Sequence, residues 1–372
     1  MMNTISHNRL ARISILLWVF SIIVEGCTGP SSPVPFAQAE PTPSPSAYWP
    51  TQVWRTSTPE EQGMDSGRLS RMLASIDQES LDLHSLLIIR HGTIVSETYF
   101  QTYHQDTPHE LYSVTKSFIS TLIGIAIDQG SIDGVDHLVL DYFRDKSYGD
   151  QDTLKKAITL ENLLTMTTGL DWQEEDIYPG LYQSHDWVSY VLRKPMLAPP
   201  GSQFNYCSGC SHILSAILQQ ATQMNTMDFA QKTLFEPLGI THVTWETDPK
   251  GTPIGGWGLQ LTPRDMAKLG YLYLHEGKWG ERQIVSSEWV RRATQKHTAT
   301  DDDDLGYGYQ WWIYPGDKAY VALGLYGQTI FVAPDLDLIV VTTAGSLDHD
   351  KIFPLIEKYI LPAVGIRGDR KI

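Results

Sequence analysis

The sequence is short of positive charge and contains no run of basic residues. Its 372 residues include 28 lysines and arginines against 43 aspartates and glutamates, so the formal net charge at pH 7 is −15. Proteins that bind nucleic acid concentrate lysine and arginine on one surface. We therefore predict no nucleic-acid partner. No internal repeat is evident, and a hydrophobic fraction of 42% suits one large globular domain or two closely packed ones.

Cysteine is also scarce, with three residues at positions 27, 207 and 210. Cys207 and Cys210 form one C-x-x-C pair, whereas a structural zinc site normally has four ligands. We interpret the pair as two buried thiols, with a disulfide or a metal site as alternatives, and we predict no metal and no cofactor. The acidic run from Asp301 to Asp304 is interpreted as a solvated loop, with calcium binding as its alternative.

The apolar run near the N-terminus, Ile13 to Val24, is too short to span a membrane comfortably. It follows Arg9 and Arg12 and ends shortly before Cys27, which is similar to a bacterial lipoprotein signal except for a glutamate where a small or apolar residue is usual. We therefore predict a signal peptide over residues 1–26, export to the cell envelope and a membrane anchor on a lipidated Cys27. Plain secretion and an uncleaved anchor are the alternatives.

The rest of the chain divides by composition. Proline and serine without apolar periodicity dominate residues 27–53, which predicts a disordered tether. We expect the folded domain over residues 54–364 and a C-terminal tail at residues 365–372. Strand-like runs occur at both ends of this domain, and the pattern between them is mainly helical. This predicts an α+β fold, with an antiparallel sheet built from both chain ends, flanking helices and a mainly helical inserted region.

The clearest chemical signal is ELYSVTKSFISTLIGIAIDQG, which runs from Glu110 to Gly130 and has Ser113 three residues before Lys116. Residues at i and i+3 share one helical face, so the hydroxyl and the amine can point at the same spot. The segment is apolar almost all round, and burial lowers the pKa of a lysine, which makes it a proton acceptor for the serine. The plain alternative is an N-cap serine beside a lysine that reaches solvent.

Two further segments carry weaker signals. Tyr206 and Ser208 lie where a loop meets a helical pattern, and the tyrosine can act as acid and base if nearby cations depress its pKa. A core tyrosine with a satisfied hydroxyl is the commoner outcome. Gly324 and Gly327 flank Leu325 at the edge of a strand, where a substrate can lie against the backbone and a second oxyanion N–H is available. Alternatively, these glycines form only a bulge.

In this order, S-V-T-K at Ser113, Y-C-S at Tyr206 and G-L-Y-G at Gly324 resemble the serine β-lactamase-related superfamily. The phrases LLTMTTGLDW and PPGSQFNYCSG agree, and the resemblance extends from Trp54 to Val364. It is closest to the branch that contains class C β-lactamases, D-alanyl-D-alanine carboxypeptidases, family VIII esterases and nylon-oligomer hydrolases. The resemblance implies a β-lactamase/transpeptidase-like fold.

The resemblance also implies a mechanism. Ser113 would attack an ester or amide carbonyl, Lys116 and Tyr206 would transfer its proton, and the N–H groups of Ser113 and Leu325 would form an oxyanion hole. The other pocket residues are expected to be Gly324, Gly327 and Ser208. Water would then hydrolyse the acyl-enzyme with the help of Tyr206, since the residues around Glu161 do not match the water-activating glutamate of class A enzymes.

Two departures from the family pattern bear on the substrate. Ser208 stands where many β-lactamases and carboxypeptidases have asparagine, and Gly-Leu-Tyr-Gly stands where they have Lys-Thr-Gly, whose lysine helps bind the substrate carboxylate. We therefore predict a serine hydrolase acting on a small ester or amide, with a β-lactamase or D,D-peptidase as the alternative. A non-catalytic envelope sensor is a further alternative.

Tyr178 and Tyr182 are expected to line the pocket, and Trp311 and Trp312 are expected to belong to the core of the sheet. The oligomeric state is not predicted.

Overall fold

The computed structural model describes residues 48–144, 152–178, 180–301, 305–314, 318–347 and 349–364. The predicted signal peptide, Cys27, most of the tether and the C-terminal tail lie outside the described residues, as do Asp302 to Asp304. Within the described residues, no helix combines the length and the apolarity that a membrane span requires.

The described residues form thirteen α-helices and thirteen β-strands. The helices are α1 Ser66–Gln78, α2 Thr115–Asp128, α3 Thr153–Lys156, α4 Leu160–Leu164, α5 Gly180–Gln183, α6 Trp187–Leu192, α7 Ser208–Thr222, α8 Thr226–Ala230, α9 Glu236–Leu238, α10 Pro263–Leu274, α11 Ser287–Ala293, α12 His349–Leu355 and α13 Leu361–Ala363. The strands are β1 Leu83–Arg90, β2 Thr93–Tyr99, β3 His109–Glu110, β4 Thr244–Trp245, β5 Leu259–Leu261, β6 Lys278–Trp279, β7 Arg282–Gln283, β8 Thr298–Ala299, β9 Gly306–Tyr307, β10 Trp312–Ile313, β11 Tyr320–Gly324, β12 Gln328–Ala333 and β13 Leu338–Ala344.

The main sheet is antiparallel and has eight strands in the order β2-β1-β13-β12-β11-β10-β9-β8. Its first two strands come from the beginning of the domain and the other six from its end. Leu87 in β1 lies opposite Val341 in β13, so the two ends of the domain meet inside the sheet. The predicted fold class, a sheet built from both chain ends with helices between, is confirmed.

Both faces of this sheet are buried, and the side chains divide between them with the two-residue period of a strand. Leu87 and Ile89 point into a core that includes residues of α2, α7 and α10. Leu86 and Ile88 point the other way, into a core shared with α1, α12 and α13.

Helix α2 is the buried helix that the sequence predicts. Every residue from Thr115 to Ala126 is buried, and Gly130 adopts a φ of 71° just beyond the helix end. A short 3₁₀ turn, Tyr112–Val114, precedes the helix and carries Ser113. Ser113 therefore lies just before the helix rather than in its first turn, and the first turn of α2 holds Lys116 inside.

Helix α7 begins with an unexpected crosslink. Cys207 caps the helix, and a disulfide joins it to Cys210 within the first turn. The favoured interpretation of this pair as two thiols is wrong. Positions i and i+3 of a helical turn lie on one face, and here the two Cα atoms are 5.2 Å apart, which is within the range that a disulfide bridges.

Candidate active site

A cavity of about 770 Å³ opens at the end of β11 and brings together residues from three segments of the chain. Ser113, Tyr206, Ser208, Gly324 and Leu325 all line it. The three sequence motifs therefore meet at one place, although the first and the last are separated by more than a hundred residues in the chain.

Lys116 lies directly beneath the nucleophile and is only 1% exposed. Its Nζ lies 2.8 Å from Ser113 Oγ, 3.0 Å from Ser208 Oγ and 2.8 Å from the carbonyl oxygen of Gly256. Burial lowers the pKa of the amine to about 8, although the negative charge of Glu174 acts in the opposite direction. The alternative of a lysine that reaches solvent is wrong, because the whole side chain is enclosed.

Tyr206 lies on the other side of the serine, with a hydrogen bond to Ser113. Its ring is 4.9 Å from Lys116 Nζ and stacks on Trp312 at a centroid distance of 5.7 Å. The condition given above for an acid–base role, a pKa depressed by nearby cations, is not met: burial of the phenol raises the pKa well above its usual value. At neutral pH the phenol therefore keeps its proton.

The third motif approaches the nucleophile through a glycine. A Cβ atom on Gly324 would lie 2.2 Å from the carbonyl oxygen of Leu111 and 3.2 Å from the backbone nitrogen of Ser113. Only glycine allows the end of β11 to lie this close to the serine. The backbone N–H groups of Ser113 and Leu325 therefore belong to adjacent segments, as an oxyanion hole requires.

Gly327 lies behind this wall and does not line the cavity. It is buried with a φ of 88°, a conformation that favours glycine, and its carbonyl accepts a hydrogen bond from Thr342 Oγ1. Its place in the structure is therefore the turn between β11 and β12.

The backbone beside both oxyanion residues is strained. Tyr112 precedes Ser113 with a φ of 45°, and Tyr326 follows Leu325 with a φ of 63°. Residues other than glycine seldom adopt this left-handed conformation, which persists where the surroundings enforce it. The two rings pack edge to face with centroids 5.3 Å apart, so each tyrosine helps hold the other in place.

Aromatic side chains form the outer wall. Tyr178 and Tyr182 stack at 4.5 Å and line the cavity, as expected from the sequence. Trp257 donates a hydrogen bond to the Tyr182 hydroxyl. Trp311 is fully buried, as predicted, but Trp312 is only half-buried and lines the cavity. Trp312, the first residue of β10, packs against both cores of the sheet and also contributes to the cavity wall, so the prediction holds for it only in part.

The cavity is lined by three carboxylates that the sequence analysis did not predict there. Glu110, Glu174 and Glu246 line the cavity, whereas none of its described lining residues is a lysine or an arginine. Burial, reinforced by the charge of Glu246, raises the pKa of Glu110. Glu174 lies in an acidic loop whose neighbours are also acidic, so no spacing in the sequence distinguishes it. Among the described residues, no group of three or more side chains is arranged to hold a metal ion.

The chain is similar in sequence to a known family and to a known enzyme. Residues 77–360 match the family model described as Beta-lactamase. The 6-aminohexanoate-dimer hydrolase of Paenarthrobacter ureafaciens is 24% identical over 322 residues, which cover 79% of this chain and 81% of that enzyme.

Two solved structures share the fold. EstCE1, a hydrolase with promiscuous acyltransferase activity, superposes with a TM-score of 0.67 at 19% identity, covering 82% of this chain and 99% of the other. A family VIII carboxylesterase has a TM-score of 0.65 at 15% identity, covering 82% and 98%.

The environment of Lys116 predicts the pH dependence of activity. If the neutral amine is the base, kcat/KM for an activated ester should rise with pH through about 8, because the protonated form cannot accept the serine proton. Lys116→Arg should be nearly as damaging as Lys116→Ala, since guanidinium stays charged. The measurement is the pH profile of kcat/KM, with Lys156→Arg on the remote helix α3 as the control.

Retention of more than about a tenth of wild-type kcat/KM by Lys116→Arg would contradict this role. Such a variant would have lost less than about 1.4 kcal/mol of transition-state stabilisation, and Lys116 would then serve only as an electrostatic aid.

The close approach at Gly324 makes a second prediction. Gly324→Ala should push the end of β11 away from Ser113 and lower kcat by roughly 10²-fold or more, the usual effect of losing one oxyanion donor. Gly134→Ala is the matched control, because a Cβ atom there meets nothing within 4 Å. Thermal unfolding shows whether each variant is folded. A folded Gly324→Ala variant with wild-type kcat would show that this backbone contact plays no part in turnover.

Proposed function

This chain belongs to the Beta-lactamase family and is a hydrolase, and we propose that it cleaves a small ester or amide through an acyl-enzyme intermediate on Ser113. The observation that carries the proposal is the contact of 2.8 Å between Ser113 Oγ and the buried amine of Lys116. A serine beside a base that is partly neutral near pH 8 is an activated nucleophile.

The first half of the reaction forms the acyl-enzyme. Ser113 Oγ attacks the substrate carbonyl carbon while Lys116 Nζ takes the hydroxyl proton, and the N–H groups of Ser113 and Leu325 stabilise the oxyanion. The bond to the leaving alcohol or amine then breaks. Tyr206 donates its phenolic proton to that leaving group as it receives the proton held by Lys116.

The second half releases the acid. A water molecule attacks the acyl carbon and gives its proton back along the same route, and Ser113 Oγ leaves as the hydroxyl. Because burial raises the pKa of Tyr206, a free tyrosinate is costly. The tyrosine therefore passes protons in a concerted manner, with one arriving as the other departs, and returns to its neutral form after each step.

The charge of the cavity supports an ester or amide substrate over a penicillin. β-Lactam antibiotics carry a carboxylate that these enzymes commonly bind with a lysine of the third motif. Here the corresponding segment is Gly324 to Gly327, and the described lining includes the carboxylates of Glu110, Glu174 and Glu246 but no lysine or arginine. Like charges repel in a cavity walled by apolar rings. Among the described lining residues, an anionic ligand therefore finds three carboxylates and neither a lysine nor an arginine.

A direct comparison of substrates tests the proposal. A fluorophosphonate probe should label Ser113, and p-nitrophenyl butyrate should be hydrolysed with a higher kcat/KM than nitrocefin. Ser113→Ala should abolish both labelling and turnover. A preference for nitrocefin would favour a β-lactamase, and rapid labelling without turnover of esters, amides or β-lactams would favour a sensor. Folded protein that is not labelled would contradict the proposal itself.

We also propose that the protein is exported and anchored through Cys27. The apolar run at Ile13 to Val24 and the cysteine that follows it support this location. The disulfide between Cys207 and Cys210 supports it independently, since disulfides persist mainly in oxidising compartments.

Lipid labelling tests the anchor. In bacterial cells expressing the full chain, radiolabelled palmitate should enter the protein and the protein should sediment with membranes. Cys27→Ser should lose the label and appear in the soluble fraction, whereas Cys210→Ser should keep the label. A Cys27→Ser variant that still carries the label would show that the anchor is not at this cysteine.

A further inference from the structure

Glu174 is a charged side chain at the cavity to which the mechanism above gives no role. It begins a short 3₁₀ turn, Glu174–Ile177, and its carboxylate receives three hydrogen bonds. Trp172 Nε1 and the backbone N–H of Ser208 donate to Oε1 at 2.7 and 2.8 Å, and Ser208 Oγ donates to Oε2 at 2.6 Å. The backbone N–H belongs to the first turn of α7, where the helix dipole favours a negative charge.

These contacts fix the direction of the Ser208 hydroxyl. An ionised carboxylate has only acceptors, so the single hydroxyl proton of Ser208 must point at Glu174. The oxygen of Ser208 then faces Lys116 with lone pairs alone. Across the 3.0 Å between Ser208 Oγ and Lys116 Nζ, the amine is therefore the donor.

The same reasoning fixes the orientation of Lys116. A neutral amine has two N–H donors and one lone pair. One donor goes to Ser208 Oγ and the other to the carbonyl oxygen of Gly256 at 2.8 Å, since a carbonyl can only accept. The remaining partner is Ser113 Oγ at 2.8 Å, and it meets the lone pair.

We propose that Glu174 is a positioning residue, which fixes the direction of the Ser208 hydroxyl and thereby aims the lone pair of neutral Lys116 at Ser113. This inference rests on the proposed function and gives one residue of that site a role. If Glu174 no longer accepts, the Ser208 hydroxyl can turn and donate to Lys116. The lone pair of Lys116 then accepts a hydrogen bond from Ser208. Lys116 can no longer accept the proton of Ser113.

A purely electrostatic role makes a different prediction. The negative charge of Glu174 raises the pKa of Lys116 against the effect of burial. Removing that charge should shift the pH profile to lower pH and, on this ground alone, increase activity at neutral pH. The positioning role predicts in addition that the plateau at high pH falls, where Lys116 is neutral in every variant.

The test compares Glu174→Gln, Ser208→Ala and the double variant, with Glu175→Gln as the matched control on the exposed neighbouring residue. The readouts are the pH profile of kcat and KM on p-nitrophenyl butyrate and the labelling rate of Ser113 by a fluorophosphonate. In Glu174→Gln the new side-chain amide can donate to Ser208 Oγ, so the plateau kcat should fall roughly 10- to 100-fold, up to the lower end of what general base catalysis contributes, with little change in KM. Glu175→Gln should match the wild type.

The double variant shows whether Glu174 acts through Ser208. Once the Ser208 hydroxyl is absent, Glu174→Gln should cause no further loss of plateau kcat, because groups that act as one unit are not additive. The side chain of Glu174→Asp has only hydrogen-bond acceptors, so its plateau kcat at high pH should exceed that of Glu174→Gln. If the glutamine variant does not fold, Glu174→Asp is used for the test instead.

Two outcomes would overturn the inference. An unchanged plateau in Glu174→Gln with only a shifted midpoint would show an electrostatic role, and losses that multiply in the double variant would show that Glu174 acts independently of Ser208. Failure of the proposed function has a different signature, namely a wild type that is labelled at Ser113 but hydrolyses no ester. The labelling rates of the variants relative to the wild type still test the inference in that case.

Discussion

The burial of the Lys116 amine is the constraint on which the rest of the site depends. Desolvation makes the neutral form accessible near pH 8, but a buried amine also needs hydrogen-bond partners, because an unpaired polar group away from water is costly. Those partners come from the turn that leads into α2, from the start of α7 and from the segment before β5. The amine is therefore satisfied only when three distant parts of the chain are packed together, and the fold and the chemistry are linked through this one nitrogen.

The sheet supplies the remaining wall of the cavity and determines how closely that wall approaches Ser113. Strand β11 ends beside the 3₁₀ turn that carries Ser113, and the absence of a side chain at Gly324 allows the two backbones to touch. Because both faces of the sheet are covered, the strand cannot shift without disturbing two cores. The strained tyrosines on either side, Tyr112 and Tyr326, show that the surroundings hold this geometry against local backbone preference.

The sequence predicts the parts of this site that depend on local geometry. The i, i+3 spacing of Ser113 and Lys116 and the apolar surroundings of α2 are visible in a single segment, and the third motif marks the end of β11. The contact between Glu174 and Ser208 joins residues 34 positions apart through a loop without regular periodicity, so no local pattern predicts it. The raised pKa of Tyr206 depends on what encloses the phenol, and the sequence contains only its immediate neighbours.

The pairing of β1 with β13 determines when the protein can become active. Leu87 and Val341 are partners in the sheet, so β1 has only β2 beside it until nearly the whole domain has been synthesised. Pairings between such distant residues form late, since the chain entropy of closing the loop must be overcome first. Ser113 and Tyr206 leave the ribosome long before Gly324. An unfinished chain therefore has the nucleophile without the wall that completes its site, and that site forms only after β11 has been synthesised.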